Sequence, residues 1–230
     1  MTELNNWGAD LTSPLAGDFI IYDGTQYVRF NPVNHDFLPY HIETLNASTS
    51  GTGASGSAAP LTNYLEGKAL GAGTTSSGYS VLTTSRIITP SSAKSTLVFT
   101  IRTDNNLSDA TDEYEYWIGA YNTIGSVTAG WYFKYQRTTS TNWLCCTQHS
   151  SSETATDSGV AVTSSTNVNL RIEYDGATPA VKFYIDNVLV ATNTTDLGTD
   201  SIFVRCGCIK TAGTTSRGIN IYTCYQTIIR

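Results

Sequence analysis

Glu113 and Glu115 are separated by one aromatic residue in the run Asp112-Glu113-Tyr114-Glu115-Tyr116-Trp117. Successive side chains of an extended strand point to opposite faces, so the two carboxylates share one face and Tyr114 and Tyr116 the other. Paired carboxylates on one face are the equipment of glycoside hydrolysis, one as acid and one as nucleophile or base. A second oxygen-rich stretch, Asp104-Asn105-Asn106 with Asp109 and Asp112, offers weak calcium ligands in Asp104, Asn106 and Asp109. Calcium takes six to eight oxygens, and no fixed loop motif supplies them here. The expectation is a polar loop, with no metal and no cofactor.

Aromatic residues could instead form a platform for a sugar. Candidates are Trp131, Tyr132, Tyr135, Trp143, Tyr184 and Tyr222. Trp131 and Phe133 share a face that should turn inward. Tyr132, Tyr184 and Tyr222 alternate with core residues and should be exposed, so these three with Trp143 are the expected ligand contacts. His35, His41 and His149 have no serine or cysteine partner in any recognisable motif. The five cysteines are Cys145, Cys146, Cys206, Cys208 and Cys224. Their spacing lacks the C-x-x-C pairs of a zinc site, which leaves them as small buried hydrophobes in a reducing compartment.

The elements that must position these residues are strands. From Thr96 onward, segments rich in Thr, Tyr, Val and Ile are separated by Gly, Asn, Asp and Ser clusters. The segment 167–175 has the cleanest period of two, with Val168, Leu170, Ile172 and Tyr174 inward and Asn169, Arg171 and Glu173 outward. Asp186-Asn187 is a hairpin turn between 181–185 and 188–192. Ten or so strands without a helix mean a sandwich or barrel. Residues 46–60 are almost all Gly, Ser, Ala and Thr and read as a linker between an N-terminal region, 1–45, and the main domain, 61–230. The N-terminal region holds a hairpin across Asp23-Gly24, whose Phe19, Ile21, Tyr22, Tyr27 and Phe30 are expected to anchor it to another surface.

Only 14% of the 230 residues are charged, and the net charge is −6. Such a chain has no basic surface for phosphates, so neither nucleic acid nor an anionic membrane is an expected partner. No apolar run is long enough to span a bilayer, and Met1–Trp7 lacks the pattern of a secretory signal.

The segment Val168–Leu197, with its Leu170-Arg171-Ile172-Glu173 strand and Val181-Lys182-Phe183-Tyr184-Ile185-Asp186-Asn187-Val188-Leu189-Val190-Ala191-Thr192, resembles the concanavalin-A-like (laminin-G or glucanase-like) jelly rolls. Gly130–Tyr135, Trp143 and Lys210–Ile219 fit the same module. The implied fold is an all-β, antiparallel jelly-roll sandwich preceded by a small N-terminal hairpin. Glucanases of this fold carry Glu-x-Asp-x-Glu on one strand. Here the third position is Trp117 or Thr111, so the row is incomplete and the resemblance implies a non-enzymatic binding domain. Ala16–Val28 is similar to hairpins of tailed-bacteriophage fibres. That resemblance implies a virion surface protein assembled in host cytoplasm: a homotrimer of head-fibre, decoration or tail-fibre type. It would be held to capsid or tail proteins through its N-terminal region and would present a lectin-like domain to cell-surface glycans. The alternatives are a capsid cement protein without receptor binding and a polysaccharide-acting glycosidase.

Overall fold

The computed structural model describes residues 19–22, 27–30, 35–38, 46–52, 54–57, 68–72, 78–88, 90 and 94–229. Among them every regular element is a strand and every strand pairing is antiparallel. In chain order the strands are β1 (Phe19–Tyr22), β2 (Tyr27–Phe30), β3 (His35–Leu38), β4 (Asn46–Ser50), β5 (Ser55–Ser57), β6 (Lys68–Ala72), β7 (Tyr79–Ile88), β8 (Lys94–Thr103) and β9 (Tyr114–Tyr121). They continue with β10 (Ala129–Gln136), β11 (Ser140–His149), β12 (Ser152–Ala161), β13 (Asn167–Asp175), β14 (Ala180–Ile185), β15 (Val188–Asn193), β16 (Ile202–Lys210) and β17 (Arg217–Ile229). One sheet runs β12-β11-β10-β9-β16-β7-β4 and the other β15-β14-β13-β8-β17-β6-β5, with β3 on the free half of β17. Two such sheets face to face form the expected jelly-roll sandwich. No helix among the described residues is long and apolar enough to cross a membrane.

The period of two in β13 becomes burial as expected: Val168, Leu170, Ile172 and Tyr174 are buried, and the residues between them are exposed or half-buried. Each fully buried side chain of this size contributes about 1.5–3 kcal/mol. From the other sheet the inward residues are Tyr114, Tyr116, Ile118 and Ala120 on β9, Trp131, Phe133 and Tyr135 on β10, and Trp143 and Cys145 on β11. Trp131 stacks on Tyr174 across the core with centroids 4.5 Å apart, and Phe133 meets Phe183 edge-on at 5.2 Å. The β14–β15 turn puts Asp186 and Asn187 at φ 48° and 67°, the left-handed pair that a two-residue hairpin requires.

The segment 46–60, expected as a flexible linker, carries two edge strands. β4 pairs with β7 and β5 with β6, one in each sheet. Composition misleads here because edge pairing is made by backbone groups, which small polar residues leave accessible. The N-terminal hairpin is present as β1 paired with β2. Its Asp23-Gly24 turn and the anchoring side chains Phe19, Ile21, Tyr22, Tyr27 and Phe30 lie outside the described residues.

Candidate functional site

The seven-stranded sheet buries residues on both faces. Opposite the sandwich core, a second cluster joins Tyr121, Val127, Tyr132, Leu144 and Cys146, with Trp117 and Ile124 partly buried against it. Alternation dictates this second face: Glu115, Trp117, Gly119 and Tyr121 on β9 lie beside Gln136, Lys134, Tyr132 and Gly130 on β10, each in direct cross-strand register. The loop after β9 folds back over part of it. Asn122 Oδ1 accepts from the Thr128 and Ala129 amides while its Nδ2 donates to Thr128 Oγ1. That closure brings Ile124 and Val127 down onto Tyr121 and its neighbours.

Glycines make the room. A Cβ on Gly130 would lie 2.6 Å from Tyr121 Cβ, and one on Gly207 would lie 2.3 Å from Ile124 Cδ1. The space over Gly130 is taken by Tyr121, and that over Gly207 by Ile124 and the Tyr121 hydroxyl. Trp117 stacks on Tyr132 with centroids 5.0 Å apart and planes 12° from parallel, and Tyr121 packs against both edge-on.

Polar groups fix this platform. Trp117 Nε1 donates to Glu115 Oε2 at 2.8 Å, and Gln136 Nε2 donates to the other oxygen at 2.6 Å. Lys134 Nζ lies 5.4 Å from the Trp117 ring centroid and pairs with Glu153 from the edge strand at 2.7 Å. The Tyr132 hydroxyl sits between Glu153 Oε2 and Gln148 Oε1, donating to one at a time. Burial, then the nearby Cys146 and Glu153, holds that phenol far above its ordinary pKa, so it stays protonated. At the sheet edge the Gly159 amide, Asn142 and Ser140 hold the Asp157 carboxyl below its ordinary value.

The expected ligand residues do not assemble. Tyr132 is buried, not exposed, because Trp117 covers it. Trp143 is fully buried in the core, stacked on Tyr116 with centroids 6.3 Å apart. Tyr184 lies on the outer face of the other sheet, half-buried under the Arg171 guanidinium at 3.8 Å, with its hydroxyl donating to Glu173. Tyr222 is half-buried on β17. Trp117 is the residue that sequence reasoning missed. It was weighed only as a missing acid in the row of Glu113 and Glu115. The available signal was the aromatic residues on both faces of β10.

Glu113 and Glu115, the two acids of the incomplete row, both face partners within the protein. Glu115 is buried between Trp117 and Gln136, and Glu113 lies 4.0 Å from Arg137. Several oxygens of the acidic loop accept hydrogen bonds within the protein. Asp104 accepts from the amides of Asn106 and Gly218, and Asp109 from those of Thr111 and Asp112. The Asn106 carbonyl accepts from the Tyr114 hydroxyl. Among the described residues no group of three or more His, Cys, Asp or Glu could hold a metal ion.

Solved structures share this architecture at low identity. They include the carbohydrate recognition domain of Emp46p (TM-score 0.54, 8% identity, 80% of this chain and 88% of that one). An endo-1,3-beta-glucanase from Streptomyces sioyaensis matches at 0.53 and 13%, over 94% of this chain and 98% of that one. A protein of unknown function, SO2946 from Shewanella oneidensis MR-1, matches at 0.55 and 14%, over 99% and 93%. No curated protein sequence gives a significant match. The fold is thus that of concanavalin-A-like lectin and glucanase domains. The family model for the SO2946-like C-terminal domain matches residues 63–223, most of the sandwich, and the chain belongs to that family.

Proposed function

We propose that the open face of the seven-stranded sheet binds a neutral glycan, with Trp117 as its platform, and does not cleave it. The observation that carries this reading is the immobilised indole. One face rests on Tyr132, the ring nitrogen is tied to Glu115, and the side chain keeps partial exposure for a ligand. A preorganised aromatic surface loses little conformational freedom on binding. Lys134, whose ammonium lies 5.4 Å from the Trp117 ring centroid, is neutralised by Glu153, which supports a neutral ligand at this ring. Glu113 and Glu115 both already have partners, which supports binding over hydrolysis. The fold shared with a carbohydrate recognition domain supports the same ligand class.

Trp117→Ala should weaken glycan binding at least about tenfold, a loss of about 1.4 kcal/mol, read by calorimetry on ligands chosen from a glycan array. Unchanged affinity in Trp117→Ala, with loss in Tyr184→Ala, would move the site to the other sheet. Product released from β-glucan and abolished by Glu113→Gln or Glu115→Gln would overturn the non-enzymatic reading.

The finer proposal is that this domain is presented to host glycans on a virion surface, as a homotrimer attached through its N-terminal region to capsid or tail proteins after assembly in the host cytoplasm. Its support is the likeness of residues 16–28 to phage fibre hairpins and the need of a lone hairpin for a packing partner. Native mass spectrometry should give three times the 24.8 kDa chain mass, and a clean monomer at micromolar concentration would refute the trimer.

A further inference from the structure

The outer face of the eight-stranded sheet carries an ordered row of its own. Alternation turns Leu170 and Ile172 of β13 and Val181 and Phe183 of β14 into the core, so Arg171, Glu173, Lys182 and Tyr184 stand outside. Register then aligns Leu189, Tyr184, Arg171, Val98 and Tyr225 across five neighbouring strands. With strands about 4.8 Å apart, Tyr184 and Tyr225 stand about 14 Å from each other along this row. The exposed large hydrophobic residues among those described are Val188, Leu189 and Tyr225, and the last two end the row.

The middle of the row is fixed. The Arg171 guanidinium lies 3.8 Å from the Tyr184 ring centroid. Glu173 clamps the stack: its Oε1 accepts from Arg171 Nη1 at 2.6 Å and its Oε2 from the Tyr184 hydroxyl at 2.9 Å. Glu173 engages only Nη1, and the Arg171 side chain keeps 31% of its surface exposed. Lys182 stands on the diagonal from Arg171, about 7–8 Å away between Cα atoms. It is exposed and has no ion-pair partner among the described residues. Of the neighbouring carboxylates, Asp175 is paired with Lys94, and Asp186 at the hairpin turn accepts from the Asn169 amide. The chain carries a net charge of −6, yet this patch has a cation to spare.

We infer that this face binds an acidic glycan in which carboxylated sugars are interspersed with neutral ones, at a site separate from the Trp117 platform. Tyr225 and the Tyr184–Arg171 stack offer flat surfaces to two sugar rings. Arg171 and Lys182 meet the carboxylate between them. Glu173 and Asp175 lie on the same face and repel a polymer charged at every unit, which disfavours a nucleic acid strand or a densely sulfated glycan.

The test is calorimetric titration of the full chain with hyaluronan oligosaccharides and with the same oligosaccharides after reduction of their carboxyl groups. The acidic form should bind at least about tenfold more tightly, and less tightly as salt is raised. Arg171→Ala should weaken that binding at least about tenfold. Lys182→Ala, at an exposed position that the fold does not need, should weaken it about two- to fivefold. Trp117→Ala should leave it unchanged, which separates this site from the neutral one. No binding of the acidic form, equal binding of both forms, or full affinity in both the Arg171 and Lys182 variants would overturn the inference. So would loss of binding in Trp117→Ala, or tighter binding of dextran sulfate or oligothymidylate.

Discussion

Gly119→Ala is expected to lower the melting temperature by about 6–12 °C or to prevent folding, a cost of about 3 kcal/mol or more. The added Cβ would lie 2.3 Å from the Trp131 carbonyl oxygen and 2.5 Å from Tyr132 Cα. Real Cβ contacts are not that short, and both obstacles are backbone atoms of the paired strand β10. A flexible side chain could swing aside, but here relief requires β9 and β10 to separate. Those strands carry Tyr116, Ile118, Trp131 and Phe133 into the core, so separation loosens packing on that side as well. On the open face the same methyl would stand opposite Tyr132 and disturb the stack that supports Trp117. Thermal melts followed by near-UV circular dichroism would report both losses. A variant that melts like the parent would show that the close register of these strands is wrong.

The core was legible in the sequence wherever one face of a strand is apolar and the other polar. β13 is the clearest case, and the Asp186-Asn187 turn fixes its neighbouring hairpin because its φ values demand residues of that kind. The edge strands were not legible. β12 reads Ser-Glu-Thr-Ala-Thr-Asp-Ser-Gly-Val-Ala, with little apolar alternation to betray a strand, yet it pairs along β11 through its backbone. β4 and β5 were hidden in the same way by a linker-like composition. The candidate site failed to appear for a different reason. Alternation assigned Tyr132 to the outer face correctly, but exposure depends on what lies across the strands. Gly130 and Gly207 leave room for Tyr121 and Ile124, which pack beside Trp117 and Tyr132 and close the face around them. Cross-strand register decides which aromatic ends on top, and a single sequence read strand by strand does not contain it. Trp117 became the platform because Tyr132, two residues along from its partner Lys134, lies beneath it.

Lys210→Ala should destabilise the fold by about 3 kcal/mol, because it removes one member of a buried ion pair and strands the groups around it. The Lys210 side chain is fully buried at the end of β16, with its ammonium 3.1 Å from Asp112 Oδ1 and donating to the Thr215 carbonyl at 2.5 Å. The same Asp112 oxygen accepts from the Thr215 amide, and Arg217 lies 3.6 Å from its partner oxygen. This cluster ties the loop before β9 to the loop between β16 and β17. Lys210 and Arg217 supply the positive charge that faces Asp112 of the acidic loop. The Thr215 amide, followed by Lys210, holds the Asp112 carboxyl well below its ordinary value. A depressed folded-state pKa contributes stability that is complete above the ordinary carboxylate range and is lost as pH falls through it toward the folded value. Urea midpoints should therefore decline below about pH 5. Asp109, Asp157 and Asp175 are lowered too and share in that decline, so the decisive quantity is a difference between proteins. Asp112→Asn should be less stable than the parent at neutral pH and should lose less on acidification. Parallel acid limbs in the two proteins would show that Asp112 does not carry the linkage, and a Lys210→Ala protein as stable as the parent would show that the buried pair does not hold the loops.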